Sequence, residues 1–130
     1  MSDAYWKIAF VFAAIFNFVV GLPLLLAPLQ ALAVFGLPQP PTFLFEQFTG
    51  GMVVIFGACY AAAARDLARR EMVWLGIAGK LFAVLLLLSY RLADQISDTM
   101  FSLGMGDLAF VAVFLWFLFG GRKRQRALAE

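Results

Sequence analysis

Residues Met72–Tyr90 form the apolar run MVWLGIAGKLFAVLLLLSY, in which Lys80 is the only charged residue. A helix needs roughly 20 apolar residues to cross a hydrocarbon core about 30 Å thick. Three other runs reach this length, at about 8–27, 43–64 and 100–120. Backbone polar groups inside lipid must be paired within their own segment, so all four runs are predicted to be helices. We therefore predict an all-α integral membrane four-helix bundle, formed as one transmembrane domain over residues 1–130.

The composition of the chain also indicates a membrane protein. Of its 130 residues, 64% are hydrophobic and 14% are charged, whereas soluble domains carry about 25% charged residues. A soluble domain of this size could not bury so much apolar surface, because small domains are mostly surface. The chain has no histidine and a single cysteine, Cys59, which effectively excludes haem ligation, zinc sites and Ser-His or Cys-His catalysis. We therefore expect no cofactor and no metal.

The first and second apolar runs are joined by a segment that is too short to cross a membrane. Residues 28–36 are mostly apolar and are followed by the proline-rich sequence LPQPP, residues 37–41. Proline lacks the backbone N–H and clashes with the preceding helical turn, so a continuous helix is excluded there. We expect residues 28–36 to lie flat at the membrane interface.

Basic residues are distributed unequally between the two sides of the predicted bundle. One side receives eight of them: Lys7, Arg65, Arg69, Arg70, Arg122, Lys123, Arg124 and Arg126. The other side receives only Arg91, while Lys80 lies inside a helix. By the positive-inside rule this excess places both termini in the cytoplasm. Topology thereby explains the basic residues, and no nucleic-acid partner is expected.

Each predicted helix carries one polar residue on a face of small residues. These residues are Asn17, Glu46, Lys80 and Asp107. Ionisable groups inside a membrane are costly and therefore usually have a structural or functional reason to be there. Helical spacing puts glycines and alanines on the same faces, and such small residues mark the close approach of helices in lipid. All four side chains are therefore predicted to point into the bundle, with Arg91 at its mouth.

Depth in the membrane predicts which of these charges meet. Below the outer ends of their helices, Glu46 lies about 5 Å deep, Asp107 about 10 Å and Lys80 about 16 Å, at 1.5 Å per residue. Side chains of a helix lean toward its N-terminus, so Arg91 leans inward while Glu46 and Asp107 lean outward. This favours an ion pair between Arg91 and Glu46. The flexible stem of Lys80 can still turn toward Asp107.

Two interpretations of these polar residues are open. In the structural interpretation, buried pairs only fix the register of the helices. In the functional one, a ligand-binding set (Asn17, Glu46, Lys80, Arg91 and Asp107) lines a polar cavity open to the outer leaflet. There an acid would bind a proton or cation, and a base would bind an anionic head group.

An aromatic stripe continues the face of Asp107 along the fourth run. Phe110, Phe114 and Phe117 follow it at helical spacing and could wall a pocket for an isoprenoid or acyl tail. Aromatic stripes in lipid more often serve packing between helices.

Several glycines, prolines and single charges recur in an order shared with known membrane proteins. The order comprises Pro28, Phe35-Gly-Leu-Pro38, Gly50-Gly51, Gly57, Tyr60, Arg65-Asp66, Gly79-Lys80 and Gly106-Asp107-Leu108. It resembles that of small uncharacterised bacterial four-helix inner-membrane proteins, and the DoxX-like group is similar in size and helix count. The resemblance implies a bacterial inner membrane and supplies no established activity.

Three functions are open on the sequence alone. The first is a small membrane-embedded binding or transport module, surrounded by membrane lipids, for a lipophilic or ionic ligand. The second is a non-catalytic accessory or assembly subunit that packs in a homo-oligomer or a larger membrane complex. The third and least favoured is an enzyme acting on a lipid through a general acid or base of the buried set. A cavity beside Asp107 would favour the first function, and a solidly packed bundle would favour the second.

Overall fold

The computed structural model describes the backbone of residues 3–127 and the side chains of residues 3–120. Within this range the chain forms five α-helices and the turns that join them. They are α1 (Asp3–Leu26), α2 (Pro28–Phe35), α3 (Leu44–Arg65), α4 (Arg70–Leu92) and α5 (Asp98–Ala127). Four stretches are long and apolar enough to cross a membrane: α1, α3, α4 and Asp98–Gly120 of α5. The predicted all-α fold and its four membrane-length helices are thereby confirmed.

The helices begin and end close to the predicted positions except at two places: the end of α5, which continues to Ala127 and not to about residue 120, and the start of α1. This helix begins at Asp3, ahead of the apolar run that starts near Ile8. An apolar run marks the part of a helix that suits lipid, whereas helical hydrogen bonds continue into the polar turns at each end. Hydropathy therefore predicts that a helix is present better than it predicts the residue at which the helix begins.

Consecutive long helices are antiparallel, so the bundle has an up-down-up-down arrangement. α1 packs mainly on α3, and α4 packs mainly on α5. The Arg70 guanidinium at the start of α4 donates a hydrogen bond to the Leu118 carbonyl in the second half of α5. The rings of Trp6 and Trp116 lie 5.7 Å apart, which places the start of α1 beside the same part of α5.

The half of the bundle that contains the start of α1 is tightly packed around aromatic side chains. The largest fully buried side chains lie here: Tyr60, Phe10, Phe114, Leu118 and Val73. The rings of Phe10 and Phe114 stack with 5.2 Å between their centroids, and Phe117 meets Phe10 edge-on at 5.1 Å. Phe114 and Phe117 of the aromatic stripe thus pack between helices. Dense packing of this kind holds side chains in one arrangement.

Two glycines bring the backbones of α1 and α3 into contact. A Cβ atom added at Gly50 would lie 2.5 Å from the Leu25 nitrogen and 2.8 Å from the Gly21 carbonyl oxygen. One added at Gly21 would lie 2.9 Å from the Gly50 carbonyl oxygen. Helices in membranes use small residues in this way to approach closely. The predicted stripe of small residues on these helices therefore is a packing face.

The connection between α1 and α3 contains the short helix α2. It starts with Pro28, whose missing N–H is not needed in a first helical turn, and ends at Gly36, where φ is +67°. Ala31, Leu32 and Phe35 are its buried residues. The Ser97 hydroxyl, just before α5, donates a hydrogen bond to the Phe35 carbonyl. The segment predicted at 28–36 is thus a helix attached to the bundle, and its location at a membrane interface stays a prediction.

Candidate functional site

The ammonium group of Lys80 is the centre of a buried polar cluster. Lys80 is 5% exposed and lies ten residues after the start of α4 and twelve before its end. Its Nζ atom forms an ion pair with the Asp107 carboxylate of α5. It also donates a hydrogen bond of 3.2 Å to the side-chain oxygen of Asn17 in α1. One side chain of α4 therefore links α1 and α5 in the middle of the bundle.

Asn17 extends this cluster to the remaining long helix. Its side-chain amide is 5% exposed and donates a hydrogen bond of 3.2 Å to the Val53 carbonyl of α3. An amide can donate through its nitrogen and accept through its oxygen at the same time, and Asn17 does both. All four long helices are consequently joined by polar contacts through Asn17, Lys80 and Asp107.

Three aromatic rings surround the Lys80 ammonium. Its Nζ atom lies 5.5 Å from the ring centroid of Phe16, 5.5 Å from that of Tyr60 and 5.2 Å from that of Phe110. A cation within about 6 Å of an aromatic face is attracted by the electrons of the ring. Together with Asp107, the rings stabilise a charge that would be costly in an apolar interior. Phe110 is thus the one residue of the aromatic stripe that contacts the polar cluster.

Sequence reasoning did not assign Phe16 and Tyr60 to this site. Tyr60 lies near the face of α3 that carries Gly57 and Ala64, so helical spacing could have placed its hydroxyl inside the bundle. Phe16 directly precedes Asn17 and has no comparable signal. Its contact with Lys80 arises because α1 and α4 pack around the same cluster.

Two buried oxygens in the described part of the chain have no hydrogen-bond partner. They are the Tyr60 hydroxyl and the Glu46 Oε2 atom. Tyr60 is fully buried, and a Cβ added at Gly76 of α4 would lie 2.7 Å from its hydroxyl oxygen. Leaving such a group unpaired costs about 1–3 kcal/mol. The Tyr60 hydroxyl is therefore an unused donor within the wall of the site.

A cavity of about 380 Å³ extends from this cluster between α1, α3 and α4. Its polar lining consists chiefly of Asn17, Lys80 and Asp107, while most other lining side chains are apolar. The mouth is formed mostly by exposed apolar residues of α3 and α4, namely Phe48, Met52, Phe82 and Leu86, with the exposed Thr49 of α3 among them. Ligand-binding pockets in proteins combine a mostly apolar wall with a few polar groups in this way.

The predicted ion pair between Arg91 and Glu46 is wrong. The Arg91 guanidinium instead lies 2.9 Å from the Asp94 carboxylate and 3.1 Å from that of Asp98. Asp94 lies in the connection that follows α4 and Asp98 is the first residue of α5, so pairing with them closes only a short loop of chain. The two acids are almost fully exposed, and an exposed pair avoids the cost of removing charges from water. The tilt of the Arg91 side chain toward the N-terminus of its helix, which favoured Glu46, therefore had less effect than the short loop and the exposure of the acids.

The predicted polar set is therefore divided by the structure. Asn17, Lys80 and Asp107 come together, whereas Arg91 lies at the end of the bundle with Asp94 and Asp98. Glu46 is partly buried in the first turn of α3 and is not among the residues that line the cavity.

The fold and the site together define a class of protein: an all-α chain with four membrane-length helices that enclose a charged pair beside an apolar cavity. Comparison with known protein families, with curated proteins and with solved structures gave no match. The resemblance to small bacterial four-helix proteins thus stays a prediction. The function has to be argued from the geometry of this site.

Proposed function

We propose that this chain is a multi-pass membrane protein that binds a lipophilic ligand in the cavity beside Lys80 and Asp107. The cavity is the observation that carries the proposal. An ion pair that serves only to hold helices together needs no pocket beside it, whereas here a space of about 380 Å³ leads from the buried pair to the surface of the bundle. Its apolar mouth opens on the outer surface of the bundle, where lipid would lie.

The cavity favours binding over the accessory-subunit alternative. A subunit that serves only to pack against partners has no need of an internal space. In this chain the half of the bundle around Phe10 and Phe114 is solidly packed, whereas the other half contains the cavity. The difference between the halves supports a dedicated site, and it supports binding more directly than transport, because transport would also require a path through the packed half.

The setting that we propose is a bacterial inner membrane with both termini in the cytoplasm. The basic residues that flank the four helices support this orientation. In this orientation the ends of α4 and α5 that meet near Arg91 face the outer side. The mouth of the cavity, formed by the early turns of α3 and the later turns of α4, then lies in the outer half of the membrane.

Cysteine labelling tests the orientation. In a Cys59→Ser background, we expect the Thr99→Cys variant to react with an impermeant thiol reagent in intact cells. We expect the Ala68→Cys variant, in the exposed turn beside Arg69, to react only after the membrane is permeabilised. Both positions are exposed in the structure, so a difference in labelling reports the side of the membrane. Reaction at Ala68→Cys in intact cells would reverse the proposed topology.

Photolabelling tests the cavity itself. The probe is a twelve-carbon fatty acid methyl ester that carries a diazirine on its chain, added to the full-length protein in phosphatidylcholine vesicles. We expect labelled peptides from α3 and α4 that contain cavity-lining residues. Ala83 lines the cavity, and its replacement in Ala83→Phe puts a ring into the space. This overpacking should reduce the labelling of those peptides by roughly tenfold or more.

Ala78→Phe is the matched control for this experiment. Ala78 belongs to the same helix but is exposed on the outer surface of the bundle, so the added ring leaves the cavity open. Labelling should therefore equal that of the unchanged protein. Equal labelling of the Ala83→Phe and Ala78→Phe variants would mean that the probe reports only contact with surrounding lipid, and the binding proposal would fail.

A further inference from the structure

We infer that the cavity selects an uncharged lipophile with an oxygen at one end, which enters sideways between α3 and α4 and places that oxygen at Lys80 and Asp107. The inference rests on the proposed function and names the chemical class of its ligand. Three features carry it: the charge balance of the cluster, the depth of its polar groups, and the hydrogen-bond donors that the cluster leaves unused.

The cluster is already neutral without a ligand. Lys80 and Asp107 are ion-paired, and Arg91 is paired with Asp94 and Asp98 outside the cavity. A charged ligand would leave one net charge in the apolar interior, and uncompensated buried charges are costly. The balance therefore favours a ligand whose polar group carries no charge.

The position of Lys80 points to the same conclusion. It lies about 15 Å from the start of α4 and about 18 Å from its end, at 1.5 Å per residue. The mouth carries the exposed apolar side chains of Phe48, Met52, Phe82 and Leu86, with the uncharged hydroxyl residue Thr49 among them. A charged head group would have to leave the membrane surface and pass these side chains, which is strongly unfavourable. A neutral oxygen can follow a hydrocarbon chain to this depth.

The hydrogen-bond donors of the cluster that have no partner favour a ligand with an oxygen atom over a plain hydrocarbon. The Lys80 ammonium has three N–H donors, of which Asp107 and Asn17 account for two. The Tyr60 hydroxyl, whose ring lies 5.5 Å from the same ammonium, has no partner among the described residues. A carbonyl, ether or hydroxyl oxygen at the polar end of the cavity would accept a hydrogen bond from Lys80. Tyr60 is held in one arrangement by dense packing, so the third N–H of Lys80 is the donor that is available to the ligand.

The volume limits the part of the ligand that the cavity holds. A volume of about 380 Å³ lies within the range of about 300–1,000 Å³ that small-molecule sites span. The polar end of the ligand and part of its chain lie within the walls, and a longer tail would leave through the mouth into lipid.

A series of head groups on one diazirine-bearing chain tests the inference with the full-length protein in phosphatidylcholine vesicles. The four probes carry a methyl ester, no polar group, a trimethylammonium group or a sulfonate group. Only the labelling that is lost in the Ala83→Phe variant is counted as cavity labelling. We expect the methyl ester to exceed the plain hydrocarbon by roughly 10- to 100-fold, the range for one hydrogen bond to a charged group. Both charged probes should fall below the hydrocarbon.

The double variant Lys80→Met/Asp107→Leu removes the charged pair and the N–H donors of Lys80, and it adds no new donor. In this variant the methyl ester and the hydrocarbon should label the cavity about equally, while the hydrocarbon labels as it does in the unchanged protein. If the variant does not fold, the head-group series on the unchanged protein still decides the question. Cavity labelling with equal or greater strength by a charged probe, or by the plain hydrocarbon, would overturn the inference and leave the proposed function standing. Absence of cavity labelling by all four probes would instead refute the proposed function.

Discussion

Replacement of Lys80 by methionine is expected to lower the free energy of unfolding by about 3–5 kcal/mol, the cost of breaking a buried ion pair from one side. The substitution nearly preserves the volume of the stem but removes the ammonium. Asp107 then keeps a carboxylate without its cation, and the Asn17 oxygen loses its donor. The three aromatic rings around the site lose the charge that they face. Unfolding by sodium dodecyl sulfate, followed by circular dichroism in mild detergent, measures the change.

The double variant Lys80→Met/Asp107→Leu should recover most of this loss. Replacing both partners of a buried pair by well-packed hydrophobic residues is often neutral, so the double variant should be more stable than Lys80→Met alone. Arg91→Met is the matched control, because it removes a cation of the same helix from pairs with two exposed acids. Exposed pairs contribute about 0–1 kcal/mol, so this variant should unfold almost like the unchanged protein. Equal effects of Lys80→Met and Arg91→Met would contradict the buried pairing with Asp107.

The second large effect is expected from Gly50→Ala, which should lower the free energy of unfolding by about 3 kcal/mol, at the upper end of the range for overpacking. The added Cβ would lie 2.5 Å from the Leu25 nitrogen and 2.8 Å from the Gly21 oxygen, both backbone atoms of α1. A side chain could rotate away from such a clash, but a backbone cannot. The helices α1 and α3 would have to separate, and the hydrogen bond from Asn17 to the Val53 carbonyl would lengthen with them.

Gly51→Ala is the control for this prediction because it makes the same chemical change at the next residue. A Cβ at Gly51 meets nothing closer than the Leu25 Cδ1 atom at 4.0 Å. Alanine favours a helix over glycine by up to about 1 kcal/mol, so Gly51→Ala should be neutral or slightly stabilising. Both variants can be compared by the same detergent unfolding measurement. A Gly50→Ala protein as stable as the Gly51→Ala protein would show that the backbones of α1 and α3 do not meet at this point.

The helices could be predicted because hydropathy acts on each segment separately. A run such as Met72–Tyr90 needs no knowledge of its neighbours to be recognised as long enough and apolar enough to cross a membrane. The burial of Asn17 and Lys80 could be predicted for a similar reason, since each lies on a face of small residues within its own helix. Both are buried in the structure.

The error at Arg91 has a different origin. The depth of a residue in the membrane and the tilt of its side chain along the helix are properties of one helix. A prediction made from them ignores the side chains that the connections between helices contribute. The connection after α4 supplies Asp94 and the first residue of α5 is Asp98, and both acids are near Arg91 along the chain. Short-range pairing in water costs less than a long-range pair inside the bundle. With Arg91 held outside, Lys80 and Asp107 balance each other in the interior.

The sequence by itself determined the number and the approximate positions of the membrane-length helices and the residues whose burial is costly. Only the tertiary structure decided that Lys80 pairs with Asp107, that Phe16 and Tyr60 face its ammonium, and that a cavity lies beside them. The physical reason is the range of the forces involved. Hydropathy and helical periodicity are properties of single segments, whereas a cavity is space that the side chains of several helices fail to fill, and it depends on how all of them pack together.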